Sequence, residues 1–589
     1  MMVKRSTKKT LKLNNNDKDS LLPIIIGVTG HRDLRSEDIP QLEFKVREIF
    51  EELRKNYPHT PLQLLSPLAE GADRLVARVG LEFNVKLIVP LPVPQEEYER
   101  DFHTPESKHE FKTLFQQADT YFELSLAEGN TLDSIRRDPD SRNRQYAQNG
   151  KYIASHSQIL IALWDGMVTE LIGGTSNVVR FKMGAPDLHT LQEPLDLIDC
   201  GPVYHIVTPR KSNLYPKGEV YSIHKRFPVD DPDADTVYTR ILERVDQFNE
   251  DALSFLENRK AAIKKSRDKL LPHDQETNIP PICRSILNHY AIADALAIFN
   301  HRKRKRTMTG LFGLGVLAVG FLTTSHALEA SWILLFYLGS FLLAYCWHQL
   351  AKGNNYQNKH LDYRILAEGL RVQFFWKMAG IEEDVVKHFL NKQRNELEWI
   401  RNAIRSCNIP VTNELDIHQG IEQKTIAYKL VREYWVYSQQ KFFEKNADRD
   451  LKKIARQNSQ MKLLLTIGFG LAAVVIFYDL FCTISCTDKN KIYEDIWSKI
   501  MMVLIHVMPM VAAAIVGYAE KMAVSEQAKQ YFRMNNLLKR AVQYLDEYLQ
   551  EKDFIKAEKL LLDLGDEILA ENGDWLLLHR ERPMEVPMG

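Results

Sequence analysis

Read for its hydrophobic and polar positions, the chain divides into a front part with short apolar runs and a rear part with long ones. Between residues 21 and 210 the apolar runs are brief: Ile24 to Thr29, Leu62 to Ser66, Val85 to Pro90, Gln158 to Leu163 and Val203 to Val207. Several carry no charge, as strands covered on both faces do. Between them lie stretches of helical periodicity, such as Pro40 to Lys55 and Ala72 to Phe83. This strand–helix alternation predicts an α/β domain with a doubly wound parallel sheet of Rossmann-like type. Further on come four longer segments, Met308 to Thr324, Trp332 to Leu350, Leu463 to Cys482 and Ile500 to Tyr518, with no Lys or Arg in their interiors. Each has about the length that crosses roughly 30 Å of hydrocarbon as a helix. They predict an all-α membrane region of four transmembrane helices in two hairpins. The competing reading is that they are buried helices of a soluble protein.

Charge gives the four segments a direction. The run His301-Arg302-Lys303-Arg304-Lys305-Arg306 precedes the first, and the link 325–331 has no Lys or Arg. Lys and Arg are retained on the cytoplasmic side, which places both termini inside a cell inner membrane. Lys452, Lys453, Arg456 and Lys462 before the third segment and Lys521, Lys529 and Arg533 after the fourth repeat the pattern, whereas the link 483–499 carries lysines of its own.

The membrane half reads as a duplicated architecture, with a charged amphipathic stretch on either side of each hairpin. Tyr363, Leu366, Leu370 and Phe374 share one helical face in the first copy; Tyr531, Leu538, Val542 and Leu545 do so in the second. The predicted division is a disordered basic tail (1–20), an α/β domain (21–230), a helical linker (231–300), a first two-helix module (301–380), a connector (381–427), a second module (428–550) and a C-terminal segment (551–589). The tail has no apolar core and does not read as a signal peptide.

Composition adds little except exclusions. The 589 residues hold 77 Lys and Arg against 77 Asp and Glu, so no basic excess marks a nucleic-acid binder. Six cysteines show no metal spacing, and Cys482 and Cys486 as an i, i+4 pair point to packing.

Candidate chemistry sits at the carboxyl ends of the predicted strands, where ligands bind in open α/β sheets. The first strand ends in Thr29-Gly30-His31-Arg32, and the second is followed by Glu70-Gly71-Ala72-Asp73-Arg74. A later one ends in Trp164-Asp165-Gly166, followed by Gly173-Gly174-Thr175-Ser176. Glycines admit an anion to the backbone N–H groups. Thr29, Thr175 and Ser176 offer hydroxyl donors, Arg32 and Arg74 positive charge, and Asp73 or Glu70 an acceptor for a ribose hydroxyl. Taken singly, each loop is ordinary turn chemistry; three at one sheet edge predict a nucleotide site. Neither Gly-x-x-x-x-Gly-Lys-Ser/Thr nor Gly-x-Gly-x-x-Gly occurs, so no P-loop or typical dinucleotide enzyme is expected.

Three stretches, Gly27 to Leu34, Leu64 to Asp73 and Gly173-Gly174-Thr175, resemble the SLOG superfamily, the Rossmann-like group that includes the Lonely Guy proteins. The hairpins look like SLATT domains, two-helix membrane units, and Tyr363 to Arg371 is similar to the helix that follows them. The resemblance implies a bacterial antiviral or self-killing effector: a cytoplasmic domain binding an ADP-ribose-, NAD- or cyclic-nucleotide-like ligand, joined to an oligomeric pore. The Lonely Guy hydrolases carry Pro-Gly-Gly-x-Gly-Thr-x-x-Glu, whose Glu cleaves an N-glycosidic bond. Here Ser176-Asn177-Val178-Val179 follows Thr175, the Glu is missing, and Glu170 lies on the wrong side. Binding is therefore expected over catalysis, with a membrane-anchored nucleotide N-glycosidase-type hydrolase as the alternative. No cofactor or metal is expected, and the partners are a nucleotide signal, the bilayer and further copies of the chain.

Within the fourth segment, His506 and Pro509 are candidates for a pore constriction or gate, with an interhelical hydrogen bond as the other reading of His506. Asp479 and Glu520 fit interfacial positions. Gly310, Gly313, Gly315 and Gly320 in the first segment, with Gly468 and Gly470 in the third, mark expected close helix packing.

Overall fold

The computed structural model describes residues 20–169, 173–185, 200–228, 233–389, 394–410, 420–484 and 496–582. The tail at 1–19, Glu170, Ile172, Cys486 and most of the link 483–499 lie outside the described residues. The chain forms two compact units: residues 1–292 with 369–421, and residues 293–368 with 422–589.

The first unit holds a seven-stranded sheet with strands β1 (Ile24–Gly30), β2 (Leu62–Leu65), β3 (Lys86–Leu91), β4 (Thr120–Glu123), β5 (Ile159–Trp164), β6 (Val203–Val207) and β7 (Ile223–Arg226), among the described residues. Their order is β4-β3-β2-β1-β5-β6-β7. All pairings are parallel except β6 with β7, which makes the sheet mixed instead of wholly parallel. The five predicted strands are present. β4 and β7 were not anticipated because β4, Thr-Tyr-Phe-Glu, buries only Phe122, and β7, Ile-His-Lys-Arg, has no buried face to leave an apolar pattern.

Alternation of side chains along β1 supplies two cores. Ile24, Ile26 and Val28 join one, with α1 (Ile39–Asn56) and α2 (Ala72–Glu82). Ile25 joins the other, with Ile153 and Ala154 of α4 (Pro139–His156) and Val178 and Val179 of α5 (Thr175–Lys182). The helix between, α3 (Pro105–Phe115), starts on Thr104, whose side chain accepts from Ser107 N. The amino end of the sheet is clasped by α6 (Ala234–Asn258). Asn249 bonds both Leu22 N (2.9 Å) and Leu22 O (2.8 Å), and Asp246 accepts from Thr60 Oγ1 (2.8 Å). That leaves the carboxyl edge to the loops.

The second unit is helical. Helices α7 (Pro281–Leu328) and α9 (Tyr356–Ala379) contribute to both units; α8 (Leu334–Gly353), α11 (Ser438–Ile484), α12 (Ile496–Lys521), α13 (Val524–Glu551) and α14 (Phe554–Arg580) belong to this one, and α10 (Arg394–Ser406) to the first. Four helices are long and apolar enough to cross a membrane, and only 11, 11, 6 and 6 % of their most apolar windows is buried. Helices of a soluble core would be buried, so exposed apolar surface of this extent supports association with a membrane. The trailing helices behave as their periodicity predicts: Tyr531, Leu538 and Leu545 of α13 are buried, and Tyr531 packs edge-on to Phe443 of α11 at 5.5 Å.

Helix contacts among the apolar segments use some of the expected glycines. A Cβ on Gly310 would meet Trp347 at 2.4 Å, and one on Gly468 would touch Pro509 at 3.6 Å. Gly313, Gly315 and Gly470 depart from the expectation, with nothing within 4 Å.

Candidate functional site

Strand order reverses at β1, whose neighbours are β2 and β5. At such a switch point the loops leaving two adjacent strands part in opposite directions and open a crevice. Thr29 and Gly30, the last residues of β1, lie in register with Ala162 and Leu163 of β5. A Cβ on Gly30 would sit 2.4 Å from Ala72 Cβ, so only glycine lets α2 start this close to the strand. Gly71 has φ +80°, and a Cβ there would be 2.4 Å from His31 O. Ala72 N donates to His31 O (3.1 Å), joining the β1 and β2 loops.

His31 ties the β1 loop to the β5 loop. Its own N–H donates to Leu163 O (3.1 Å), and Asp165 N donates to its Nε2 (3.0 Å). The same Nε2 lies 3.2 Å from Asp165 Oδ1, so this nitrogen faces both the backbone N–H and the carboxylate of Asp165. Burial holds the imidazole below its ordinary pKa despite the attraction of Asp165. Asp165 is itself fully engaged: Oδ2 accepts from Arg210 Nε (2.9 Å) and Asn213 Nδ2 (3.0 Å), and Oδ1 from Met167 N (3.0 Å). Against the opposing effect of burial, the bonds from Asn213 and Met167 keep it below the usual carboxylate range. Its place is that of an organiser of the loops.

The β2 loop splits by role. Arg74 is 1 % exposed; Nε donates to Leu68 O (3.0 Å), and Nη1 reaches Ser107 O (2.9 Å) and Glu110 (3.0 Å). Its guanidinium lies 4.5 Å over the Phe102 ring. Glu70 accepts from the Ser107 hydroxyl. Both residues thus hold the first turn of α3, and Arg74 Nη2 stays buried without a partner among the described residues. Asp73 is buried, and burial pushes its carboxyl up to about 7 although Arg32, a backbone bond from Ala69 and Arg74 draw it down.

Arg32 is exposed and lies 5.4 Å over the Tyr146 ring. Although the side chain keeps an exposed edge, desolvation where it lies against the Tyr146 ring opposes its charge; Tyr98, Tyr146, Asp101 and Asp73 more than offset this and raise its pKa. Around it stands a group that the sequence reading missed. Tyr146 donates to Asp101, Arg142 Nη2 donates to Asp101 Oδ1 (2.6 Å), and Tyr98 packs edge-on to Phe102 at 5.1 Å. The only available signal was the Arg142/Tyr146 spacing, which puts both on one face of α4. Helix α4 also braces the edge, since Gln145 Nε2 donates to Pro92 O (2.7 Å) and Asn149 Nδ2 to Pro90 O (2.8 Å).

Gly173 has φ +76° and rests against α4, where a Cβ would be 2.9 Å from Ala147 N. Gly174 precedes the first turn of α5, Thr175 is half-buried there, and the buried Ser176 hydroxyl accepts from Thr169 N (3.3 Å). The β1, β2 and β5 loops thus meet directly, and the glycine pair adjoins them on the same helix as Tyr146. Together they offer a cation over an aromatic face, an imidazole and a buried carboxyl.

In the other unit, His506 is exposed and its Nδ1 donates to Met502 O (2.7 Å), one turn back in α12. Pro509 lies inside the same helix at its contact with Gly468.

No family model matches the chain, and no curated protein does either.

Proposed function

We propose that this protein is a membrane effector gated by a nucleotide-derived ligand. In this reading the first unit is a Rossmann-like, doubly wound sensor of SLOG type. Its ligand lies over the β1–β5 crevice, phosphate against Gly30, Arg32 and the first turn of α5, and base or ribose against Tyr146 and Asp73. Two SLATT-like hairpins from several copies line a pore at an inner membrane, termini inside, with His506 and Pro509 at its gate, in antiviral defence. The observation that supports this best is the meeting of three strand-end loops at the switch point, in a chain whose four apolar helices stay exposed. Ligand opens such a pore only through a difference in affinity between closed and open states.

The test is efflux from liposomes carrying the full chain, with NAD-derived and cyclic nucleotides added in turn. Efflux that requires one nucleotide and is lost in Arg32→Ala is the expected result.

One observation favours a second reading, a membrane-anchored nucleotide hydrolase. The Asp73 carboxyl, pushed up to about 7 by burial, is tuned as a general acid or base at neutral pH would be. Consumption of a nucleotide without efflux, abolished in Asp73→Asn, decides for it.

A further inference from the structure

The third apolar segment belongs to a helical run of 61 residues, Ile421 to Phe481. Within that run six residues, Arg432–Tyr437, are π-helical, between ordinary helical backbone at Val431 (φ −58°, ψ −47°) and Ser438 (φ −61°, ψ −42°). A π turn closes i→i+5 hydrogen bonds where an α turn closes i→i+4, so it takes up one extra residue. Such single turns occur mostly at functional sites.

The buried positions show what the extra residue does. Up to the middle of the turn they are Tyr428, Val431 and Trp435, spaced by three and four as one helical face is. At that spacing the face would continue through Gln439 and Phe442. It runs instead through Val436, Gln440, Phe443, Ala447 and Asp450, the same periodicity displaced by one residue. The π turn absorbs the displacement and keeps both series on the packed side of the helix. At its start Arg432 donates to both carboxylate oxygens of Asp546 in α13 (2.8 Å each). Beyond it Gln440 Nε2 donates to Asn535 Oδ1 (3.2 Å), and Phe443 lies edge-on to Tyr531 at 5.5 Å.

The residues to which the first series points repeat the chemistry of those in place. Gln439 precedes Gln440, and Phe442 precedes Phe443. Gln439 is half-buried and Phe442 exposed, yet the Phe442 ring is already edge-on to Tyr531 at 6.3 Å. We propose that the π turn at 432–437 is a register switch: as it relaxes into α-helix, Gln439 and Phe442 replace Gln440 and Phe443 against Asn535 and Tyr531. Taking one more residue into α-helix turns α11 by about 100° and moves it about 1.5 Å along its axis. Two packings in which the buried glutamine and phenylalanine each have a substitute make a bistable element. The third apolar segment lies in α11 and turns with it. Gly468, where a Cβ would lie 3.6 Å from Pro509, then gives its place to Ile467, whose branched side chain forces α12 away. The switch lies in the second unit and does not depend on what the first unit binds.

The test is disulfide formation in the full chain in neutral detergent, with the joined peptides identified by mass spectrometry. Gln440→Cys with Asn535→Cys reads the present register, and Gln439→Cys with Asn535→Cys reads the shifted one. Both disulfides should form, the second at least about tenfold more slowly, as a state populated at about 10 % or less requires. Deleting Glu433, exposed and inside the turn, removes the extra residue; it should leave the first disulfide and abolish the second. Deleting Glu444, equally exposed but in α-helix, puts the helix out of phase and should lower Tm more than deleting Glu433 does. Because the two pairs are compared first in the undeleted chain, a folding defect of a deletion cannot mimic the result. Absence of the second disulfide from the undeleted chain, or its formation at an unchanged rate without Glu433, would overturn the switch.

Discussion

At the carboxyl edge of the sheet, a Cβ on Gly30 or Gly71 would lie 2.4 Å from Ala72 Cβ or His31 O; in the apolar helices, one on Gly313, Gly315 or Gly470 would meet nothing within 4 Å. Charge repeats the contrast. At the edge Arg74 reaches Glu110, Asp165 holds Arg210, and Glu97 is shared by Arg100, Arg136 and Arg142. Below the apolar segments Arg304 has no such partner among the described residues. One region closes its ion pairs within a single chain, and its residues are constrained by one another. The other leaves long apolar faces exposed and a buried arginine nitrogen without a partner among the described residues.

The sharpest way to break this comparison is to crowd the closed region. Gly71→Val forces a branched side chain into φ +80° and against the His31 carbonyl. Left-handed strain and overpacking together predict a loss of about 3 kcal/mol or more. Pulse proteolysis of the full chain across a urea series, read on fragments of the sheet, measures it. A loss under about 1 kcal/mol would mean that the edge relaxes easily and is not a preformed site.

Asp73 tests whether this closure extends to protons. Its folded pKa is raised to about 7, above its unfolded value of roughly 3.9, so the folded state binds the proton more tightly. The associated stability is fully present below the unfolded pKa and is lost as pH rises through 7. The span corresponds to an effect on the order of 4 kcal/mol between about pH 4 and pH 8. His31, lowered by burial, has the opposite sign and loses stability as pH falls below its ordinary pKa. The difference in Tm between wild type and Asp73→Asn isolates the carboxyl: the variant should gain on wild type as pH rises. Parallel curves would show that Asp73 is ionised in the fold throughout.

The same contrast explains what could be read in advance. β1 and β5 were legible because strands covered on both faces are unbroken apolar runs. The apolar helices were legible because lipid-length segments exclude charge. Thr29-Gly30-His31-Arg32 and Asp165 were legible as strand-end residues, but their division of labour was not. Whether Arg74 meets a ligand or braces α3 depends on Ser107 and Glu110, more than thirty residues away. Tyr98 and Asp101 were invisible for the same reason, since their meaning arises from a packing against α4 that no local spacing encodes; only the Arg142/Tyr146 spacing left a trace. Arg304 was hidden inside a run whose other members do what such runs ordinarily do.

Two milder substitutions probe the ends of the scale. Thr104→Ala removes the cap that receives Ser107 N at the start of α3, the turn gripped by Glu70 and Arg74, and should cost about 1 kcal/mol in the same urea assay. The smallest effect is expected from Gly313→Ala. In an exposed helical position with nothing within 4 Å, the added methyl meets no atom of its own chain, and alanine's higher helix propensity works in its favour. Thermal stability of the detergent-solubilised chain should therefore stay within about 0.5 kcal/mol of wild type or rise slightly. If assembly from several copies packs this face, the same variant should shift chemical cross-linking toward smaller species while the single-chain fold is untouched. A large loss of stability with no change in assembly would instead mean that Gly313 is already packed within one chain, and its face would no longer count as exposed.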